Sequence, residues 1–161
     1  MRPEKLVVVI CTGNICRSPM GAAFLARHLS LKGVSGVEVL SAGTHAMDGQ
    51  GPMVEAIRAA QEHQVDVTGH RSRPLDLVLA QKADLILCAT EDHRQTVLSW
   101  WPDVDPEKTR LFSDAITGEE HGDVSDPFGQ DADVYVVAAR VIDQAMKAWA
   151  DRLLEMWGGD S

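Results

Sequence analysis

The residues whose types and spacing carry the most chemistry run from Cys11 to Ser18, reading Cys-Thr-Gly-Asn-Ile-Cys-Arg-Ser, directly after the apolar stretch Leu6 to Ile10. A continuous β-branched stretch of that kind reads as a buried parallel strand, so it delivers the Cys11 thiol to the start of a loop. From Thr12 to Ser18 there is no proline, and every backbone N–H stays available as a donor. Gly13 and Asn14 tolerate the positive φ that lets successive N–H groups converge on one point. Ser18 and Pro19 are expected as the N-cap and first-turn residues of a helix whose positive end faces the same point. Arg17 adds a planar, permanently charged fork able to hold two oxygens. Together these suit a tetrahedral oxyanion held by Thr12, Gly13, Asn14, Ile15, Cys16, Arg17 and Ser18, with Cys11 beneath it as a thiolate nucleophile. The plain alternative, a small buried cysteine ending a strand, leaves Arg17 and the proline-free loop unexplained. Nucleotide-binding loops fit less well, since one glycine stands here and no Gly-Lys-Ser/Thr follows.

The elements that must hold this loop alternate along the chain. Pro19 to His28 has helical spacing, with Gly33 as its stop. Val37 to Leu40 reads as a second strand, which places Ser41 at a strand's carboxyl end, the rim where open α/β sheets bind ligands. His45 to Pro52 is a loop able to wall the pocket, and Met53 to His63 returns to helical periodicity. Val65 to Leu75 is irregular and basic, with His70, Arg71 and Arg73, ahead of a short helix near Pro74 to Gln81. Leu85 to Cys88 is a third strand, Glu91 to Trp101 a helix ended by Pro102, and Arg110 to Phe112 a short fourth strand. Asp114 to Gln130 is a long polar loop of the kind that usually carries function. Asp131 is expected to cap a final helix whose core face is Val134, Val137, Val141, Ala145, Trp149 and Leu153. Strands alternating with helices imply an α/β fold with an open parallel sheet between two helical layers.

With 161 residues, positions 1–161 read as one domain with no linker or repeat. The formal net charge of −9 argues against nucleic acid and anionic membranes, which need a basic face. It also means that any positive potential for an anion must be local to the loop, its helix end and Arg17. The first apolar stretch is too short for a signal sequence and nothing reaches a membrane-spanning length. Three cysteines without an export signal point to free thiols in a reducing cytoplasm. Trp100, Trp101 and Trp157 read as core and rim packing ahead of the alternative, an exposed contact surface.

The segment Cys11 to Pro19 resembles the signature loop of the low-molecular-weight protein tyrosine phosphatases, with which the related bacterial protein arginine phosphatases are grouped. Ser41-Ala42-Gly43-Thr44, Ala83 to Leu87 and Asp126-Pro127-Phe128-Gly129 extend the resemblance along nearly the whole chain. It implies a flavodoxin-like four-stranded sheet of order 2-1-3-4. It also implies phosphate-monoester hydrolysis without metal or cofactor, through a phosphocysteine formed on Cys11, with Arg17 binding the phosphoryl group. Asp126 is expected as the acid and then the base, stiffened by Pro127, with Asp123 its local rival. A phosphorylated protein or peptide is the expected partner, and a monomer the expected unit.

Asn14, Ser18, Ser41 and His70 match positions that support the loop from below in this family, although Ser18 is also explained as a cap and His70 reads equally well as a surface loop residue. Cys16 would form a reversible disulfide with Cys11 against oxidation. Ile15, Met47 and Phe128 are expected to wall the substrate. In the family, isoleucine at the position of Ile15 accompanies phosphotyrosine activity and threonine there phosphoarginine activity. The run His121 to Gly129, by contrast, is closer to the arginine branch. Three alternatives stand beside tyrosine phosphatase: arginine phosphatase, an arsenate reductase using a small external thiol, and a catalytically silent oxyanion-binding module.

Overall fold

The central strand is the one that carries the nucleophile candidate. In the computed structural model, which describes residues 4–116 and 122–158, β1 (Lys5–Cys11) pairs in parallel with β2 (Val37–Gly43) on one side and β3 (Leu85–Cys88) on the other. β4 (Thr109–Leu111) adds to β3, again in parallel, so the sheet order is β2-β1-β3-β4. The implied order 2-1-3-4 is therefore the observed one. The helices are α1 (Arg17–Leu31), α2 (Val54–Gln61), α3 (Leu77–Lys82), α4 (Glu91–Trp100) and α5 (Ala132–Trp157).

Because side chains alternate along a strand, β1 feeds both faces of the sheet. Val7 and Val9 pack with Phe24, Ala56 and Trp149 beneath α1, α2 and α5, while Val8 and Ile10 pack with Leu79 and Val97 beneath α3 and α4. All four β1 residues are fully buried, each such side chain contributing about 1.5–3 kcal/mol of transfer free energy. That anchoring fixes where the strand ends, and with it the position of Cys11.

Several boundaries differ from the sequence reading. α1 begins at Arg17 with Cys16 in the N-cap position and no side-chain cap, so Ser18 is a helical residue and not the cap. Its hydroxyl is diverted to partners in the loop described below. At the other end Gly33 (φ +73°) does stop the helix: its N–H reaches the Ser30 carbonyl and that of Val34 the Leu29 carbonyl. β2 runs on to Gly43, and β4 lies one residue earlier than expected, with Phe112 opening a 3₁₀ turn to Ala115.

The core face of α5 is Tyr135, Ala139, Ile142, Met146, Trp149 and Leu153, whereas Val137 and Val141 are exposed. The expected ladder of successive four-residue steps from Val137 onward precesses about 40° per step on a helix of 3.6 residues per turn, so only its later members stay on the core face. Asp131 occupies the N-cap position without a side-chain bond. Trp149 is buried and Trp157 partly buried, while Trp100 is exposed at the rim, edge-on to Trp101. His121, at the head of the run to Gly129, lies outside the described residues, as do positions 117–120 of the long polar loop.

Candidate active site

β1 ends at Cys11, which is buried, and the chain then closes a tight loop before entering α1. The Ser18 hydroxyl lies 3.0 Å from Cys11 Sγ, and the Ser18 backbone N–H donates to the same sulfur from 3.4 Å. Asn14 sits in the left-handed region at φ +58°, a conformation that disfavours any residue with a Cβ. What holds it there is a ring of partners. Its amide nitrogen donates to Ser18 Oγ at 2.7 Å and Ser41 Oγ at 3.0 Å, and its Oδ1 accepts from the Arg73 backbone N–H at 3.0 Å. His70 Nε2 donates to the Asn14 carbonyl at 2.7 Å. The four residues expected beneath the loop are thus in contact, three of them through Asn14's side chain and backbone. Burial, and secondarily the nearby Arg71, lower the His70 pKa against the bond to Asn14. Gly43 is required by proximity: a Cβ there would lie 2.4 Å from the Thr12 carbonyl oxygen.

Arg17 is only 3% exposed, and its guanidinium is fixed from two sides. Nη1 donates to the Val124 carbonyl at 2.8 Å and Nη2 to Thr12 Oγ1 at 3.3 Å, with Asp126 Oδ2 3.6 Å from Nη2. Among the described residues Nε has no hydrogen-bond partner although it is buried, a condition that costs about 1–3 kcal/mol until a partner is supplied. Asp126 is half exposed, and its Oδ1 accepts the Phe128 N–H at 3.0 Å in a tight turn across Pro127. The rival Asp123 is spent elsewhere, accepting the Glu91 N–H at 2.8 Å at the start of α4. Together with Val124 N–H to the Ala89 carbonyl, that bond ties the loop to the sheet edge and leaves Asp126 over the pocket.

The resulting cavity has a volume of about 160 Å³ and is lined by Cys11, Thr12, Gly13, Ile15, Cys16, Arg17, Asp126 and Phe128. A family model described as "Low molecular weight phosphotyrosine protein phosphatase" matches residues 6–156. The chain belongs to this family. It is 34% identical to the low molecular weight protein-tyrosine-phosphatase Etp of Escherichia coli over 91% of this chain and 93% of that protein. Among solved structures, the arginine phosphatase YwlE of Geobacillus stearothermophilus superposes with a TM-score of 0.85 at 31% identity, covering 98% of each chain. Wzb of Vibrio vulnificus in complex with benzylphosphonate gives 0.82 at 34% identity, over 92% of this chain and 99% of that one.

One expected wall of this phosphatase site is not there. Met47 is 67% exposed and does not line the cavity. Its loop is pinned away by Ser72, whose hydroxyl donates to the Met47 carbonyl and whose backbone exchanges bonds with Gly49 and Gln50. Ile15 and the exposed Phe128 do line it. Cys16 is buried with its sulfur 3.8 Å from Tyr135 Oη, and burial pushes its thiol up to about 12. Cys11, Cys16 and Cys88 are all free thiols.

Sequence reading missed His93. It sits 2.7 Å from Thr12 Oγ1, and burial, followed by the charge of Arg17, pushes its imidazole down to about 4. Its spacing from Thr90 signals only a helix cap, and nothing local ties it to a loop 81 residues earlier. The Val124 carbonyl and Tyr135 were equally silent, since one is backbone and the other an ordinary helix aromatic. Among the described residues no group of three or more His, Cys, Asp or Glu is placed to hold a metal ion, and no helix is long and apolar enough to cross a membrane.

Proposed function

We propose that this phosphatase hydrolyses phosphotyrosine in cytoplasmic proteins or peptides, with Cys11 as nucleophile, Arg17 as phosphoryl anchor and Asp126 as proton donor and acceptor. The observation that carries the reading is Arg17 Nε, buried and without a partner among the described residues, beside a proline-free loop closed over Cys11. A phosphoryl oxygen supplies that nitrogen's missing acceptor, and the loop N–H groups with the end of α1 stabilise the remaining charge.

In the first step the Cys11 thiolate attacks phosphorus in line with the aryl oxygen. The S–P bond forms, the P–O bond breaks, and Asp126 passes its proton to the departing phenolate. Water then attacks the phosphocysteine while the Asp126 carboxylate takes its proton. Inorganic phosphate leaves and the thiolate is restored. Ser18, through its hydroxyl and N–H, stabilises the sulfur as nucleophile and as leaving group. Asn14, Ser41 and His70 act indirectly, by holding the loop in its strained shape. Consistent with covalent transfer, a solved YwlE variant carries a phosphorylated active-site serine.

Ile15 on the cavity wall supports the aryl substrate, and Phe128 offers the ring a stacking surface. Phosphoarginine is the second reading, favoured by the 33% identity to the protein-arginine-phosphatase of Bacillus subtilis and by the Asp126 loop. A thiol relay to arsenate is poorly served, because Cys88 is fully buried and burial raises its pKa. Hydrolysis of matched phosphotyrosine and phosphoarginine peptides, with arsenate reduction and Cys11→Ser as controls, tests the assignment. Faster phosphoarginine turnover would transfer it to the second reading, and no turnover of any substrate would leave only an oxyanion-binding module.

A further inference from the structure

Thr12 opens the phosphate loop, and its hydroxyl oxygen is approached by two nitrogens, His93 Nε2 at 2.7 Å and Arg17 Nη2 at 3.3 Å. The direction of the first bond is set by a third group. The Thr90 backbone N–H donates to His93 Nδ1 from 3.2 Å, and a backbone amide can only donate; the Thr90 hydroxyl, 3.0 Å from the same nitrogen, accepts the His93 backbone N–H and so has its own hydrogen free to donate there too. Nδ1 is therefore the bare ring nitrogen, and the ring proton belongs on Nε2. Both Nε2–H and the guanidinium then donate to Thr12 Oγ1. A hydroxyl has two acceptor sites and one hydrogen, so with both acceptor sites taken its hydrogen is left for a third partner. Thr12 lines the cavity over Cys11, and on its other side it borders a separate cavity of about 390 Å³ lined by His93, Thr90, Asp92 and His45.

We propose that His93 is a positioning residue of the phosphate site, one that makes the Thr12 hydroxyl an obligate donor to a phosphoryl oxygen seated over Cys11. The inference rests on the phosphatase reading above. The imidazole must be neutral for this, because a proton on Nδ1 would face the Thr90 N–H. Burial and the charge of Arg17 keep it neutral down to a pH of about 4, against the opposing pull of Asp123, Asp126 and Asp92. The arrangement also explains why a titratable ring is buried at the start of α4, where a simple cap needs only the Thr90 hydroxyl. Thr12 by itself, as a free rotor, would spend part of its time presenting a lone pair to the anion.

Orthovanadate inhibition and kcat/KM for an aryl phosphate are measured on the wild type, Thr12→Val, His93→Asn, His93→Gln and the Thr12→Val/His93→Asn double variant, with melting curves for each. Asparagine keeps an acceptor for the Thr90 N–H, and so the helix cap, but does not reach Thr12. Glutamine places its amide nitrogen near the position of Nε2. A hydrogen bond to a charged group is expected to be worth about 10- to 100-fold in inhibition constant, lost in Thr12→Val and in part in His93→Asn. His93→Gln should recover to within about threefold of wild type, and His93→Asn should cost nothing further in the Thr12→Val background. Additive losses in the double variant, or wild-type inhibition of His93→Asn whatever its melting temperature, would overturn the proposal and leave the phosphatase reading standing. A wild-type enzyme indifferent to vanadate would instead remove that reading, and the proposal with it.

Discussion

The strain at Asn14 yields a sharp prediction when Asn14→Ala and Asn14→Gly are compared. The side chain makes three hydrogen bonds, a buried one to Ser18 and part-buried ones to Ser41 and the Arg73 N–H, each worth about 1 kcal/mol net, so removing it should cost about 3 kcal/mol in either variant. The backbone sets a second difference between the variants, because asparagine and alanine both hold a Cβ in the left-handed region and glycine does not. A Cβ at φ +58° costs about 1–2 kcal/mol, whereas glycine adopts that region freely but loses about 0.4–1 kcal/mol through its more flexible unfolded chain. Asn14→Ala, which keeps a Cβ in the left-handed region as the wild type does, should therefore be destabilised by about 3–4 kcal/mol, and Asn14→Gly, which relieves that strain, by about 1 kcal/mol less. Against a typical total of about 5–15 kcal/mol this is a large fraction, and urea unfolding followed by circular dichroism resolves it. Orthovanadate affinity should fall in both variants, since the loop N–H groups lose their fixed convergence. If Asn14→Ala proves as stable as Asn14→Gly, the left-handed conformation is not being imposed by the fold. If both lose less than about 1 kcal/mol, the ring of partners does not hold the loop.

Asp126→Ala should slow turnover of phosphotyrosine about 10²- to 10⁴-fold, with a smaller loss for an aryl phosphate whose phenol is a good leaving group; equal losses on both substrates would remove Asp126 from proton transfer. Stability should fall on acidification from about pH 6.5 to about 4, because His93 takes up a proton in the unfolded chain before the folded one, and His93→Gln should flatten that stretch of the curve. A wild-type profile with the same slope as the variant would show that the ring is not held neutral. Peroxide inactivation should be reversed by thiol in the wild type and less completely in Cys16→Ser. With Cys16 raised to about 12, the protecting disulfide should form about tenfold faster per pH unit in mildly alkaline solution, and a pH-independent rate would exclude attack by the Cys16 thiolate.

The fold was readable wherever a single segment carries its own burial. β1 from Leu6 onward and β3 throughout are apolar because helices cover both faces of the sheet, and the Gly33 stop is written in one residue. The α5 face was misjudged because a four-residue ladder drifts around a long helix, and only its neighbours α1, α2 and the 3₁₀ turn from Phe112 to Ala115 decide which side is covered. Ser18 looked like a cap because its type allows one. Its hydroxyl is claimed by Cys11 and Asn14, a competition that no local pattern reveals.

The sequence by itself determined the loop's chemical groups: Cys11, the absence of proline, Gly13, Asn14 and Arg17 lie within seven residues, so their proximity is set locally. Only the tertiary structure decided which groups complete it. Val124 holds Arg17, Asp126 prevails over Asp123, Met47 is drawn away by Ser72, and His93 meets Thr12. Each of these is a contact between segments far apart in the chain. Such contacts depend on the order of strands in the sheet and the lengths of the connections, and residue type alone does not encode either.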